Sequence, residues 1–118
     1  KLTRDETTFL KFQTGKLLES QQNFDEASDC YREASRLCPD DWTCPYFRGR
    51  VLNKIQDFKE AIRHFERAIS LKPSCSEAFF HRGLALIKLN APQDAIKSFE
   101  NASKFDPKNS QAFLKRGQ

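Results

Sequence analysis

The sequence lacks a long apolar stretch. Its purely apolar runs are only a few residues long, as at Ala85, Leu86 and Ile87, whereas a helix that crosses a bilayer needs about 18 such residues. An apolar segment of the kind found in secretory signal peptides is also missing. We therefore expect neither a membrane span nor secretion, and we predict an intracellular protein of the cytoplasm, with the nucleus as the alternative compartment.

Motifs that carry catalysis are absent as well. The chain has no G-x-S-x-G nucleophile turn, no H-E-x-x-H metal-binding helix and no glycine-rich phosphate loop. We therefore predict that it is not an enzyme and that it has no catalytic residue and no cofactor. Adjacent carboxylates do occur at Asp40 and Asp41, but they follow Pro39 where a helix must begin. A helix cap explains this pair better than acid–base chemistry.

Cysteine and histidine do not occur at metal-binding spacings. The four cysteines are irregularly placed without a C-x-x-C pair, and His64 and His81 are distant from most of them. Because structural zinc sites use closely spaced ligand pairs, no metal site is predicted. The cysteine density is also too low for a small secreted disulfide scaffold, so we interpret these residues as reduced thiols. Whether Cys38, Cys44 and Cys75, at the predicted hairpin ends, approach one another stays open.

No block of one charge sign is present. The 20 Lys and Arg residues exceed the 16 Asp and Glu residues, for a net charge of +4, and the two signs are interleaved. This weak excess permits an acidic partner without requiring one. With 31% charged and 38% hydrophobic residues over 118 positions, the composition is that of one folded domain.

Glycine is scarce, and its four positions reveal an internal repeat. Gly15, Gly49, Gly83 and Gly117 are each 34 residues apart. The same step relates several further sets of small, large apolar, aromatic and proline residues: Ala27, Ala61 and Ala95; Tyr31, Phe65 and Phe99; Ala34, Ala68 and Ala102; Leu18, Leu52 and Leu86; Pro39, Pro73 and Pro107. Self-similarity at such a period indicates a repeat architecture.

The spacing within each period predicts a helical hairpin. Ala61, Phe65 and Ala68 lie at i, i+4 and i+7, which is one stripe of a helix. The segments 23-NFDE-26 and 57-DFKE-60 place Asn or Asp three residues before Glu, a capping pattern that predicts the start of the second helix. Glycine in the first helix allows close approach of the second, and the ring at position 65 is expected to fill the space between neighbouring hairpins.

This pattern resembles the tetratricopeptide repeat, a 34-residue helical hairpin with Gly in the first helix followed by Ala, an aromatic residue, Ala and Pro. The resemblance covers residues 8–118 and implies one all-α domain, a right-handed α-solenoid of antiparallel helix pairs. It predicts full repeats at about 8–41, 42–75 and 76–109, and the first helix of a fourth repeat at 110–118. The family's early tryptophan position is occupied by Lys11, Pro45, Phe79 and Phe113, so packing at this position departs from the family pattern.

The stretch 45-PYFRGRVLNK-54 combines aromatic and basic residues as RNA-binding strands do. A strand is excluded here because the leucines at 18, 52 and 86 require a helix in this register. The arginine before each glycine recurs as Arg48, Arg82 and Arg116. Recurrence at one repeat position favours a structural role, with the stem packed between helices and the guanidinium reaching a carbonyl or carboxylate.

In stacked hairpins of this kind the first helices line a concave face, which here carries an aromatic row and a cationic row. Phe12, Tyr46 and Phe80 form a column at the 34-residue step, whereas Phe9 and Phe47 lie outside it and are predicted to be exposed contact residues. A titrating contact and an amphipathic filler are both open for His81. The predicted peptide-binding groove consists of Phe9, Phe12, Lys16, Tyr46, Phe47, Arg50, Lys54, Phe80, His81 and Lys88.

The best-known ligand of the family is an acidic C-terminal chaperone tail, which a clamp of Lys, Asn and Arg side chains holds. The corresponding positions here are Phe12, Lys16, Phe47, Glu77 and His81. Lys16 supplies a matching cation, whereas Glu77 reverses a charge. The resemblance therefore does not imply a carboxylate clamp.

Family resemblance and groove composition together predict an adapter or scaffold that binds a protein or peptide with acidic and apolar side chains. The structural alternative is a segment of a longer solenoid, or self-association through an open C-terminal end, because the sequence stops midway through the predicted fourth-repeat helix. A third alternative is RNA or another polyanion along the lysine and arginine row, which the net charge of +4 supports least.

Overall fold

A computed structural model describes residues 2–106, which form six α-helices and contain no strand. Each helix packs against the next along the chain, and α3 also contacts α5. The prediction of an all-α helical repeat is confirmed. The helices are α1 (Arg4–Ser20), α2 (Phe24–Leu37), α3 (Thr43–Lys54), α4 (Phe58–Leu71), α5 (Ser76–Lys88) and α6 (Pro92–Phe105).

The predicted fourth-repeat helix at 110–118 lies outside the described residues, as do Pro107, Phe113, Arg116 and Gly117. At the other end, α1 begins at Arg4, one turn before the repeat boundary predicted at residue 8. Thr3 caps this helix: its side chain accepts a hydrogen bond from the Glu6 backbone N–H, and the Glu6 carboxylate accepts one from the Thr3 backbone N–H. Capping explains why the first helix extends into the residues before the repeat.

Each repeat is closed by a ring of its second helix that lies on the glycine of its first helix. A Cβ added at Gly49 would stand 2.6 Å from a ring carbon of Phe65, well inside van der Waals contact. The same ring-on-glycine contact occurs in the other two repeats, at 2.7 Å between Gly15 and Tyr31 and at 2.7 Å between Gly83 and Phe99. Helix packing therefore requires the glycines at positions 15, 49 and 83.

The same second-helix rings join neighbouring repeats. Phe65 is fully buried, with its ring centroid 6.2 Å from Tyr46 of its own repeat and 5.9 Å from His81 of the next. Tyr31 lies in the same way 5.7 Å from Phe12 and 5.7 Å from Phe47. Because Tyr31 and Phe65 are each shared between two repeats, the core continues along the three described repeats.

The second helices begin where the capping pattern predicts, but the side chains of Asn23 and Asp57 form no cap hydrogen bond. That part of the prediction is wrong. Their backbone N–H groups instead close the preceding helix, with Asn23 N to Leu18 O and Asp57 N to Leu52 O both at 2.9 Å. The preceding residues have positive φ, 64° at Gln22 and 69° at Gln56, which completes a Schellman turn.

Two further interpretations from the sequence agree with the contacts in part. The Asp41 carboxylate accepts hydrogen bonds from the backbone N–H and the hydroxyl of Thr43 at 3.0 and 2.6 Å, so it caps the start of α3. Arg82 reaches the Glu66 carboxylate at 3.0 Å and the Ser98 hydroxyl at 2.6 Å. Arg48 reaches a hydroxyl, at Ser28, and not a carbonyl or carboxylate. These arginines tie helices together.

Among residues 2–106, no helix combines the length and the apolar character that crossing a membrane requires. The same residues contain no group of His, Cys, Asp and Glu side chains that could hold a metal ion. The four cysteines are free thiols, and Cys44 and Cys75 are 1% and 0% exposed. Burial raises the pKa of the Cys44 thiol to about 11.

Candidate functional site

The candidate site is the face formed by α1, α3 and α5, which we call the first-helix groove. All ten predicted groove residues belong to these three helices. Phe9, Phe12 and Lys16 lie on α1, while Tyr46, Phe47, Arg50 and Lys54 lie on α3 and Phe80, His81 and Lys88 on α5. Their roles in binding stay predictions, but their exposure and contacts now distinguish them.

Phe47 is less exposed than its position outside the aromatic column predicts. Its ring is half-buried and lies 4.9 Å from Phe12, 5.7 Å from Tyr31 and 5.1 Å from Tyr46. His81 is the residue 34 positions later and packs on Phe65 as Phe47 packs on Tyr31. Positions 47 and 81 thus form a second column, which packs one repeat against the next.

Tyr46 is 7% exposed, so it offers little surface to a partner and mainly supports the groove from below. Phe80 is half-buried against Phe99 and His81. Phe9, in contrast, is 60% exposed, as its position outside the column predicts. Of the predicted aromatic row, Phe9 therefore offers the most free ring surface.

His81 is neutral under physiological conditions. Burial lowers the pKa of His81 from its usual 6.5 to about 4, and the positive charges of Arg50 and Lys54 act in the same direction. Its ring is nearly parallel to Phe65, with 23° between the planes. The packing contacts thus favour an apolar role for this histidine over a titrating one.

The cationic row divides into two kinds of residue. Lys16 and Lys88 are exposed and form no ion pair with any described residue. The Lys16 ammonium lies 5.7 Å from the ring centroid of Phe12 and 6.0 Å from that of Phe47. These two lysines are available to a negatively charged partner.

Arg50 and Lys54 are engaged by a buried carboxylate inside the chain. The Glu19 side chain is 8% exposed, and its Oε2 lies 2.6 Å from Lys54 Nζ and 3.7 Å from Arg50 Nη2. Its Oε1 accepts a hydrogen bond from the Tyr31 hydroxyl at 2.9 Å. Counting the groove's charges from the sequence therefore overstates the positive charge that is free to meet a partner.

Two pockets occupy equivalent places in successive repeats. The first, of about 270 Å³, lies between α1 and α3 and is lined by Lys16, Glu19, Phe47 and Arg50 among others. The second, of about 550 Å³, lies between α3 and α5. Its lining contains no acidic residue and consists of Arg50, Asn53, Lys54, Gln56, Phe58, His81, Leu84, Ile87 and Lys88.

Asn53 stands in the second pocket where Glu19 stands in the first, 34 residues apart. Its Nδ2 donates to the His81 carbonyl at 3.3 Å, which joins α3 to α5, and its Oδ1 is buried with no partner among the described residues. Buried polar atoms are usually paired. Asn53 therefore brings a buried acceptor atom without a partner among the described residues to the lining of the second pocket.

Five lining residues of the second pocket are absent from the predicted groove: Asn53, Gln56, Phe58, Leu84 and Ile87. Leu84 and Ile87 lie on the inward face of α5, and Ile87 is 50% exposed. A comparison of the equivalent positions 19, 53 and 87 could have found the site. These positions hold Glu, Asn and Ile, whereas the packing residues of the repeat hardly change. Phe58 lies at the start of α4, a second helix, so a prediction made from the first helices alone could not include it.

A family profile described as Tetratricopeptide repeat matches residues 12–62 and 46–112. No sequence among curated proteins matches the chain. Solved structures do match closely in fold. The Arabidopsis OM64 TPR domain has a TM-score of 0.90 at 21% identity, with 97% of this chain and 96% of that chain covered.

Two further similar structures come from different proteins. The N-terminal domain of stress-induced protein-1 (STI-1) from C. elegans has a TM-score of 0.86 at 18% identity, covering 98% of each chain. The second TPR of Spaghetti (RPAP3), solved with the HSP90 peptide SRMEEVD, has a TM-score of 0.82 at 25% identity. That match covers 86% of this chain and 94% of the other.

Proposed function

The chain belongs to the tetratricopeptide repeat family, whose domains are protein–protein interaction modules, and from this premise we propose that its first-helix groove binds a peptide segment with acidic and aliphatic side chains. The chain is thus an interaction module, and we propose an adapter or scaffold role without catalysis of its own. Its free cysteines support a reducing compartment, the cytoplasm or the nucleus.

The observation that carries this proposal is the pocket between α3 and α5. Lys88 borders it as a cation without an ion pair to any described residue, and Arg50 and Lys54 border it already paired with Glu19. No carboxylate lines it, and Leu84 and Ile87 supply an apolar wall. Charge complementarity therefore favours an acidic ligand, and the apolar wall favours an aliphatic neighbour of the acidic residue.

A clamp for a C-terminal acidic tail is not part of this proposal. The clamp positions hold Phe12, Phe47 and His81, whose rings pack within the stack, and the acidic Glu77. A carboxylate at position 77 repels a terminal carboxylate. The peptide bound to the RPAP3 domain is therefore not proposed as a ligand of this chain.

Two synthetic peptides test the proposal. The Leu-Glu peptide is fluorescein-labelled Gly-Ser-Leu-Glu-Leu-Glu-Ser-Gly, and the Leu-Gln peptide replaces both Glu residues with Gln. We expect fluorescence anisotropy to show binding of the Leu-Glu peptide and markedly weaker binding of the Leu-Gln peptide, because the lysines attract the carboxylates.

Charge reversal inside the groove identifies the surface. The variant Lys16→Glu/Lys88→Glu changes two lysines without an internal ion pair, and we expect affinity for the Leu-Glu peptide to fall about tenfold or more. The control Lys59→Glu/Lys97→Glu makes the same charge change at exposed positions of α4 and α6. Equal losses in both variants would exclude the groove, because they would reflect net charge alone.

The polyanion alternative is tested in the same assay. Single-stranded oligouridine is titrated across a salt series, and RNA binding of the usual kind loses affinity steeply with salt. If the chain binds oligouridine more tightly than the Leu-Glu peptide, and if Lys16→Glu/Lys88→Glu abolishes that binding, an RNA-binding proposal would replace the peptide proposal.

A further inference from the structure

Positions 19 and 53 are equivalent in two successive repeats but carry different chemistry. Glu19 is a buried carboxylate in the pocket between α1 and α3, and Asn53 is a neutral amide in the pocket between α3 and α5. Of the two pockets only the first is therefore lined by a carboxylate of the chain itself, which affects which of them can take an anion from outside.

The pocket between α1 and α3 contains its own anion. Glu19 accepts from Tyr31 and from Lys54, which lies 35 residues after it. An incoming carboxylate at this pocket would meet a like charge that the chain has already paired. Breaking that internal pairing leaves a buried charge without compensation, so entry there is unfavourable.

The pocket between α3 and α5 lacks both the carboxylate and the hydroxyl donor of that arrangement. Asn53 replaces the carboxylate, and Phe65 at the position of Tyr31 has no hydroxyl to donate. Lys88, which is 35 residues after Asn53 and corresponds to Lys54, forms no ion pair within residues 2–106. The cation is thus present without the internal anion.

We propose that Glu19 is a built-in carboxylate that fills one of two repeat-related subsites and thereby directs a partner's carboxylate to Lys88 in the other. This inference rests on the proposed function and deepens it by assigning the register of the ligand. Glu19 and Asn53 are the residues that determine the choice of subsite.

The second pocket also specifies what accompanies the carboxylate. Leu84 stands where Arg50 stands in the preceding repeat, and Ile87 follows on the same face. Ile87 is 50% exposed, and Phe58 also lines the pocket. An aliphatic side chain adjacent to the acidic residue fits this wall, so the ligand motif is an aliphatic–acidic pair such as Leu-Glu.

Exchanging the two residues tests the inference. Asn53→Glu installs the carboxylate in the second pocket, where Lys88 can pair with it as Lys54 pairs with Glu19. We expect affinity for the Leu-Glu peptide to fall about tenfold. Glu19→Gln removes the internal anion from the first pocket while keeping an acceptor for Tyr31, and we expect a second place of binding to open there.

Backbone NMR shifts of the uniformly ¹⁵N-labelled chain, titrated with the unlabelled Leu-Glu peptide to millimolar concentration, report where binding occurs. In the wild type we expect shifts at Leu84, Ile87 and Lys88 and little change at Lys16 and Ser20. In Glu19→Gln the shifts at Lys16 and Ser20 are expected to become comparable with those on α5.

Gln56→Glu serves as the matched control, since Gln56 lines the same pocket but does not occupy the repeat-equivalent position. It adds the same charge, and we expect less than about a threefold loss of affinity. An equal loss in Gln56→Glu and Asn53→Glu would overturn the subsite inference in favour of general repulsion.

The remaining outcomes separate this inference from the proposed function. Groove binding that Asn53→Glu leaves unchanged, or the same shift pattern in Glu19→Gln and wild type, would refute the role of Glu19 and leave the groove intact as a binding surface. If Glu19→Gln does not fold, the affinity of Asn53→Glu for the Leu-Glu peptide, compared with that of Gln56→Glu, decides the subsite inference alone. Absence of shifts on all three first helices in the wild type would refute both.

Discussion

The hydrogen bond between Tyr31 and Glu19 allows a direct prediction for stability. Tyr31→Phe removes the hydroxyl that donates to Glu19 Oε1 at 2.9 Å and leaves the ring in place. Phe occupies the equivalent positions 65 and 99, so the ring fits this site without a hydroxyl. The substitution therefore tests the polar contact and not the packing.

The magnitude follows from the burial of both partners. Tyr31 is 0% exposed and the Glu19 side chain 8%, so the carboxylate that loses its donor regains little water. Hydrogen bonds to charged groups contribute about 1.5–3 kcal/mol. Because Lys54 still pairs with Glu19, we expect the lower part of this range, about 1.5–2 kcal/mol. For a domain of this size that is a fall in Tm of roughly 6–8 °C.

Thermal and urea unfolding followed by circular dichroism measure the loss, and a double-mutant cycle assigns it. Glu19→Asn together with Tyr31→Phe converts the first repeat to the residue pair of the second, Asn53 and Phe65. In the Glu19→Asn background, we expect Tyr31→Phe to cost less than about 0.5 kcal/mol. Tyr46→Phe is the control, because no hydrogen bond joins that hydroxyl to a carboxylate in the part of the chain that the structure describes. An unchanged Tm in Tyr31→Phe, or strict additivity in the cycle, would refute the reasoning.

Three further predictions concern packing, pH and thiol reactivity. Gly49→Ala should lower the Tm, since the strain of a methyl group 2.6 Å from the fully buried Phe65 ring, about 1–3 kcal/mol, exceeds the gain in helix propensity of about 1 kcal/mol; a higher Tm would contradict it. Burial lowers the pKa of His64 and His81 from 6.5 to about 4. Between pH 6.5 and about 4 the unfolded chain therefore binds more protons than the folded chain. The free energy of unfolding should fall as the pH drops through this range, and a urea midpoint that does not change with pH would contradict this. Cys44, 1% exposed with its pKa raised to about 11, should react with a thiol reagent only on unfolding, and rapid reaction in the native chain would show otherwise.

The repeat framework could be predicted because it depends on residues that recur. Gly49 and Phe65 meet in one contact that recurs in all three described repeats, so their spacing carries the fold. The capping prediction at Asn23 and Asp57 was wrong in mechanism although right in position. A local pattern of residues does not reveal that the preceding helix uses the same backbone N–H group.

The candidate site was harder to predict because it depends on residues that differ between repeats. Arg50 and Lys54 were counted as free cations, and the carboxylate that neutralises them comes from another repeat. Reversing them to Glu would therefore disturb the buried Glu19 as well as the groove surface. Phe47 was assigned to the exposed surface because no other Phe, Tyr or Trp occupies this repeat position. Its packing role becomes clear only when His81 is recognised as the equivalent residue of the next repeat. Composition identifies the groove, but pairing across repeats determines its free charge.

The central claim, that a partner peptide lies against α3 and α5 in the first-helix groove, is tested most directly by paramagnetic relaxation. A nitroxide attached to the Leu-Glu peptide broadens the amide signals of nearby residues. We predict that Leu84, Ile87 and Lys88 broaden most, while Lys59 on α4 and Lys97 on α6 keep their intensity. Broadening centred on α4 or α6, or spread evenly over the helices, would contradict the account.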